Sequence, residues 1–583
     1  MNFLKNIISS AIGFMMATGL LIVFFIIVAA AIGSSTEVKV KDASILRIQL
    51  NTEMKDYAPI EMDPFSSLLG LPPQYMGLND VLAAIKRSKS DDRIKGISIE
   101  GTSMNVGISQ LNAVRNAIVD FKLSGKPVFA YADSYGQKEY FLSSVADSVF
   151  ISPVGQVDIK GLSSEILFFK DFQDNYGVKM EVIRHGKYKS AVEPFIANKM
   201  SESNRIQMKE LLNSLWFDMV AAISKSRAIS VKDLNMIADD LLGRTSGLSF
   251  ENSLVDGVLY KDAYKEKLKQ LISIEEYQVT GLMDYMQSNI TFDFETDLKK
   301  SKIAVIYAQG DIIYGQGDEK SIGQGMMVKA IDKAAKNDAV KAIVLRVNSP
   351  GGSALASDLI WRALEKAKQQ KPLVVSMGNY AASGGYYIAC NADRVFAEST
   401  TITGSIGVFG ILPNASEFTN KIGIHSERVS TNKSPSYSPF SKLDPNFYEV
   451  TKEGVDQIYR TFVSKVAEGR HMTYDQVHEL AQGRVWSGKQ AKENGLIDAL
   501  GGLQTAILSA ASLAEIDDYK IENYPNYKND LRETFRNMPF MNLKEELLKE
   551  WMGDAGFILF KQLNTLKSVE GVQMGMPYVL DIK

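Results

Sequence analysis

Serine and lysine are the side chains through which this sequence could make a nucleophile. The run Asn379-Tyr380-Ala381-Ala382-Ser383-Gly384-Gly385-Tyr386 sets a serine among small residues. Far upstream, Lys187-Tyr188-Lys189-Ser190-Ala191-Val192-Glu193-Pro194-Phe195 sets a lysine among apolar ones. Together they fit a Ser–Lys hydrolase, in which a neutral lysine takes the part that histidine plays in other hydrolases. Lysine is a poor base at its usual pKa of about 10.4, but burial can lower that by up to ~3–5 units. Tyr188, Ala191, Val192, Pro194 and Phe195 could supply the burial. A surface lysine and a helix N-cap serine are the plainer readings of either run alone. Lys187 is close enough to be confused with Lys189, and Glu193, if it paired with either, would raise the lysine pKa.

Two more runs could complete a site. In Asn348-Ser349-Pro350-Gly351-Gly352-Ser353 the paired glycines let the backbone turn its N–H groups toward a ligand. An oxyanion hole needs such donors, and the N–H groups of Gly352 and Gly384 are the candidates; a tight turn is the alternative. In Thr403-Gly404-Ser405-Ile406-Gly407-Val408, Ser405 could orient the lysine ammonium or relay its proton, or simply be a turn serine. No Gly-x-Ser-x-Gly elbow surrounds Ser383, which disfavours an α/β-hydrolase. The four histidines, His185, His425, His471 and His478, lack the spacing of a zinc pair, and their scarcity favours another base. The single cysteine, Cys390, excludes an intrachain disulfide and reads as a core residue on the helix after Ser383. No metal, nucleotide or other cofactor is expected.

These residues need a scaffold to bring them together. Around the serine, a strand at 373–377 runs into the Ser383 turn, and a helix at 384–391 follows, so Ser383 falls at a helix N-terminus. Strands at 303–307 and 342–347 alternate with helices at 327–336 and 358–369, the mark of parallel strands covered by helices. The chain also repeats itself at an offset of about 246 residues. Asp92-Arg93-Ile94-Lys95-Gly96-Ile97 matches Asp338-Ala339-Val340-Lys341-Ala342-Ile343, Lys126-Pro127 matches Lys371-Pro372, and Ala146-Asp147 matches Ala392-Asp393. Gly243-Arg244 has an echo in Gly483-Arg484. In this register Ser383 falls on Gln137, Ser405 on Ile159, and Lys189 near Ser434-Pro435, with Lys433 close by. One copy keeps the lysine and the other the serine, as expected of one site shared between two copies.

The expected organisation is a membrane anchor at 1–36, a first α/β copy at 37–275, a linker at 276–300, a second copy at 301–510 and a C-terminal extension at 511–583. Residues 53–80, with prolines at 59, 64, 72 and 73, read as a long loop. Residues 6–36 carry no charge, and 7–33 are almost wholly apolar. As a helix that stretch would reach about 40 Å, against a hydrocarbon core of about 30 Å. It reads as an uncleaved single span rather than a signal peptide, whose apolar region is about 7–15 residues. The 583 residues exceed one ordinary core, and a net charge of −3 gives no hint of nucleic acid binding.

In combination the four runs resemble the signal peptide peptidase A (protease IV) family in its long two-copy form, over nearly all of residues 1–510. The resemblance implies a crotonase-like (Clp-protease-like) α/β fold in each of two tandem copies after one transmembrane helix. It implies Ser383 as nucleophile, Lys189 as general base and Ser405 as support for the lysine. It further implies a bacterial enzyme on the inner membrane, facing the periplasm or cell exterior, that degrades cleaved signal peptides and other hydrophobic peptides and assembles as a tetramer. An amphipathic stretch at 543–551 is a candidate for assembly or membrane contact. A crotonase-type acyl-thioester enzyme and a non-catalytic membrane scaffold remain as rival readings.

Overall fold

In the computed structural model, the described residues are 40–58, 75–288 and 301–525, apart from 102, 273, 275 and 435, together with 572–575 and scattered positions 10, 13–20, 24 and 553. Most of 7–33, and the 543–551 stretch, lie outside them. Among the described residues no helix is long and apolar enough to cross a membrane.

Each copy is built on a mainly parallel sheet, and the strand orders of the two match. The first runs Gly257–Val258, Ser148–Ile151, Val128–Ala132, Ile94–Glu100, Ser44–Ile48, Gln278–Gly281, all parallel. The second carries the same parallel series as Ala499–Leu500, Arg394–Ala397, Leu373–Ala382, Val340–Ser349, Ser301–Gln309 and Tyr519–Tyr524. It adds Ile402–Gly404 and an antiparallel Val485–Ser487 beside the far end of the serine strand. Helices cover both faces, and the central strands are buried nearly throughout, as the continuous apolar runs require.

The repeated dipeptides have repeated jobs. Lys126 Nζ donates to the Ser88 and Asp91 carbonyls at the end of helix Leu78–Ser90, and Lys371 Nζ donates likewise to Ala334 and Asn337 after Gln324–Lys336. Asp147 accepts the Val128 N–H and Asp393 the Leu373 N–H, both at 2.8 Å. Each copy has a 26-residue helix, Glu202–Arg227 and Pro445–Arg470, whose terminal arginine holds Asp256 or Asp498.

Several elements extend past their expected limits. The serine strand continues from 377 to Ala382 because Ala381 and Ala382 find new partners in Thr403 and Gly404. The helix expected from 358 begins at Ala354, where Ser353 Oγ accepts the Ala356 N–H. The stretch 53–80 is not all loop: Glu53–Lys55 pairs in parallel with Tyr75–Gly77, and Leu78 opens a helix. Met54 and Met76 bury there, which the prolines had obscured. Gln278–Gly281, in the stretch drawn as linker, adds a strand to the first sheet, and Tyr519–Tyr524 does the same for the second.

The copies interlock next to the serine strand. Buried Arg346 of the second copy forms an ion pair with buried Asp56 of the first at 2.9 Å, and also donates to Ser376 Oγ and the Met377 carbonyl. Asn379 Oδ1 accepts from the Ser109 and Gln110 N–H groups, and so caps the open start of first-copy helix Ile108–Lys122. Met208, Leu211 and Leu215 of helix Glu202–Arg227 share a buried cluster with Ala382, Ile402 and Val485.

Candidate active site

Lys189 reaches the second copy through a sheet made between copies. Strand Lys179–His185 mixes charged and apolar residues, and pairs antiparallel with Val408–Asn414 over its whole length. Its Ile183 is buried within the second copy's core. The chain then turns at Gly186, and the Tyr188 N–H donates to the Gln482 carbonyl at 2.9 Å. Gln207 ties the turn down, donating to Tyr188 O and Ser190 Oγ while accepting from Val485 N–H. The lysine stem passes between two glycines. A methyl group on Gly483 would lie 2.6 Å from Lys189 Cα, and one on Gly407 3.1 Å from Lys189 Cδ.

This path brings Lys189 Nζ to 2.8 Å from Ser383 Oγ. The same nitrogen lies 3.1 Å from the Ser405 carbonyl oxygen and 3.0 Å from Ser405 Oγ. All three residues are fully buried. Burial holds the Lys189 pKa well below the usual lysine range, and no carboxylate opposes it. Glu193 does not pair with Lys189: its carboxylate accepts from Ser201 and from Asn204 Nδ2, with Arg184 at 3.7 Å. Lys187 is exposed over the Tyr188 ring, and Lys433 is exposed. The neutral amine has two N–H groups and one lone pair, which matches two Ser405 acceptors and one Ser383 hydroxyl.

Ser383 caps helix Gly384–Ala389 at φ 54°, ψ −114°, and Ser405 sits at φ 51°. Positive φ in residues with a side chain stores strain, of order 1–3 kcal/mol each, and clusters at functional sites. The surroundings hold Ser383 there: its N–H donates to the Gly404 carbonyl and its carbonyl accepts from Tyr387. Gly351 and Gly352 have φ of 105° and 148°. A methyl group on Gly352 would lie 2.1 Å from the Ile312 carbonyl oxygen, and one on Gly384 3.2 Å from the Gly352 nitrogen. The two candidate oxyanion donors are therefore neighbours beside Ser383. Cys390 is buried in the core, its thiol pushed up to about 12 by burial. His185 pairs with Asp456, and His478 with the Tyr459 hydroxyl.

The model of peptidase family S49 matches residues 120–275 and again 365–517, once in each copy. The chain belongs to peptidase family S49. As an S49 member it is a serine peptidase with two repeats of the family domain. It is 35% identical to Protease 4 of Haemophilus influenzae over 85% of this chain and 83% of that one. It is 31% identical to the chloroplastic serine protease SPPA of Arabidopsis thaliana, over 82% and 70%. A putative signal peptide peptidase SppA of Enterococcus faecium matches 34% of this chain and 58% of its own length at 37% identity. The chain of a ClpP1 point mutant from Listeria monocytogenes aligns with 35% of this chain and 94% of its own, at 14% identity and a TM-score of 0.24, too loose a likeness to decide the fold.

The residues that sequence reasoning missed are the ones that steer: Gln207, Asn379, Gly407 and Gly483. Gly483 had shown itself only as a repeat of Gly243, with nothing to mark it as the wall of the lysine tunnel.

Proposed function

We propose that this S49 peptidase works through a Ser383–Lys189 dyad assembled from both copies. The observation that carries the reading is the fully buried Lys189 amine, 2.8 Å from Ser383 Oγ with Ser405 taking its other contacts. Neutral Lys189 accepts the hydroxyl proton as Ser383 Oγ attacks the peptide carbonyl. The N–H groups of Gly352 and Gly384 receive the oxyanion, lysinium protonates the leaving amine, and water then resolves the acyl-enzyme. Ser405 keeps the amine pointed at Ser383 in either protonation state. A crotonase-type thioester enzyme would have no use for this buried lysine, and a scaffold would have no reason to retain two strained serines around it.

The substrates in this reading are cleaved signal peptides and other hydrophobic peptides, and the apolar stretch 7–33 anchors the chain in a bacterial inner membrane with both copies on the outer side. The uncharged sequence of that stretch supports the anchor. A homo-oligomer is supported by an asymmetry between copies. Val408–Asn414 is paired with first-copy strand Lys179–His185, whereas their counterparts near 162–168 and 425–431 form no strand. Head-to-tail pairing of those counterparts between subunits would close a ring.

Intact-mass labelling with a fluorophosphonate tests the dyad. One adduct on the wild type, lost in both Ser383→Ala and Lys189→Ala, is expected. Equal labelling of Lys189→Ala would remove the lysine from the mechanism.

A further inference from the structure

Gly483-Arg484 repeats Gly243-Arg244, and the backbone repeats with it. The Arg244 N–H donates to the Leu241 carbonyl and the Arg484 N–H to the Ala481 carbonyl, both at 3.1 Å. The two side chains do different things. Arg244 is exposed and turns back on its own loop, donating to the Asp240 and Leu241 carbonyls. Arg484 leaves its turn and crosses to the first copy. Its guanidinium carbon lies 5.1 Å from the centre of the Tyr188 ring and 4.1 Å from that of Trp486, and its Nη2 donates to Glu210. Its Nε is buried and has no hydrogen-bond partner among the described residues, so the two rings and Glu210 hold the head.

This contact lies where the parts of the site join. Tyr188 directly precedes Lys189, and the Arg484 carbonyl accepts the Ser405 N–H at 2.6 Å. On helix Glu202–Arg227, Gln207, Glu210, Leu211 and Ser214 share one face, at i, i+3, i+4 and i+7. That face docks on the strand after Arg484: Gln207 accepts the Val485 N–H, Leu211 packs with Val485, and Ser214 bonds Ser487. Glu210 is exposed, so its ion pair alone is a weak tie. A planar cation stacked on two rings fixes direction as well as distance.

We propose that Arg484 is a positioning residue for the reaction: its guanidinium joins the Tyr188 ring to Trp486, holding the lysine turn against the Ser405 turn and keeping water from the lysine tunnel. The first copy has no lysine–serine pair to align, and there Arg244 closes only its own turn. The inference rests on the Ser383–Lys189 reading, since the amine it aims is the base of that dyad.

The test follows fluorophosphonate labelling of Ser383 against pH, with kcat and KM on a short apolar peptide. The full chain is compared with its Arg484→Met, Arg484→Lys and Tyr188→Ala forms and with the Arg484→Met, Tyr188→Ala double variant; Lys189→Ala is the control. Arg484→Met and Tyr188→Ala should each lower kcat about 10–100-fold with KM changed less than about twofold. Both should move the labelling midpoint up, toward the ordinary lysine value, as water reaches the amine. The double variant should be no slower than the slower single, because both changes break one contact. Arg484→Lys keeps the charge without the planar face and should recover only a small part; it carries the comparison if Arg484→Met does not fold. Lower thermal stability with kcat and midpoint as in the wild type, or single losses that multiply in the double variant, would overturn the inference and leave Arg484 a structural residue. A wild type that does not label, or Lys189→Ala that labels equally, would overturn the dyad and this inference with it.

Discussion

At the residue scale, the proposed chemistry depends on one amine kept dry. Lys189 must be neutral to act, so the labelling rate of Ser383 should rise with pH and level off, with a midpoint below the ordinary ~10.4 of lysine. Stability follows the same group. The unfolded lysine keeps its proton up to ~10.4, whereas the folded one releases it at lower pH, so between those values the unfolded state binds more protons and stability rises with pH. Below both values that contribution is absent. The thermal midpoint of the wild type, taken relative to Lys189→Met, should therefore climb from neutral pH toward pH 10; a flat difference would contradict the depressed pKa. Ser405→Ala should lower kcat by about 10–100-fold with KM little changed, because a positioning contact is lost and the cleft is not. Gly352→Ala should be worse, since its methyl collides with the Ile312 carbonyl and its φ of 148° suits glycine. Stopped turnover with a retained fold is the expected readout. Serine, lysine and glycine types were legible in their runs. The absence of a Glu193 contact was not, because its partners Ser201 and Asn204 lie on a later helix turn that no local pattern ties to it.

At the element scale, the site is held by pairings between copies. Asp56→Ala would leave Arg346 buried without its carboxylate, a change that typically costs about 3–5 kcal/mol. A marked drop in thermal midpoint is expected, and Asp56→Asn should recover part of it. Val182→Pro should unseat the lysine strand from Val408–Asn414, since proline removes a ladder donor. Labelling should fall while circular dichroism stays near that of the wild type. Strand–helix alternation made the two sheets readable, because buried parallel strands write continuous apolar runs. The strand Lys179–His185 was missed for the opposite reason: most of its residues are only half-buried, and its partner is more than 200 positions away. The prolines between 59 and 73 concealed the short pair Glu53–Lys55 and Tyr75–Gly77 in the same way.

At the scale of the whole molecule, the duplication explains both what was legible and what was divided. Repeated dipeptides such as Lys126-Pro127 and Lys371-Pro372 survive because each lysine still closes a helix. The proposed catalytic positions carry no such shared duty and differ between the copies, so the repeat pointed to a shared site through its mismatches. Neither copy contains both residues of the proposed dyad, and separately produced 40–288 and 301–583 should each fail to label.

The inter-copy pairing of Lys179–His185 with Val408–Asn414 also sets an order in time. A ribosome finishes the lysine strand about 220 residues before its partner, tens of seconds at ~5–20 residues per second. Through that interval the emerging chain carries the proposed base without the proposed nucleophile, and an open strand edge. On the proposed dyad, peptide cleavage begins only once the second copy has folded against the first, so a half-made chain would be inert toward its neighbours.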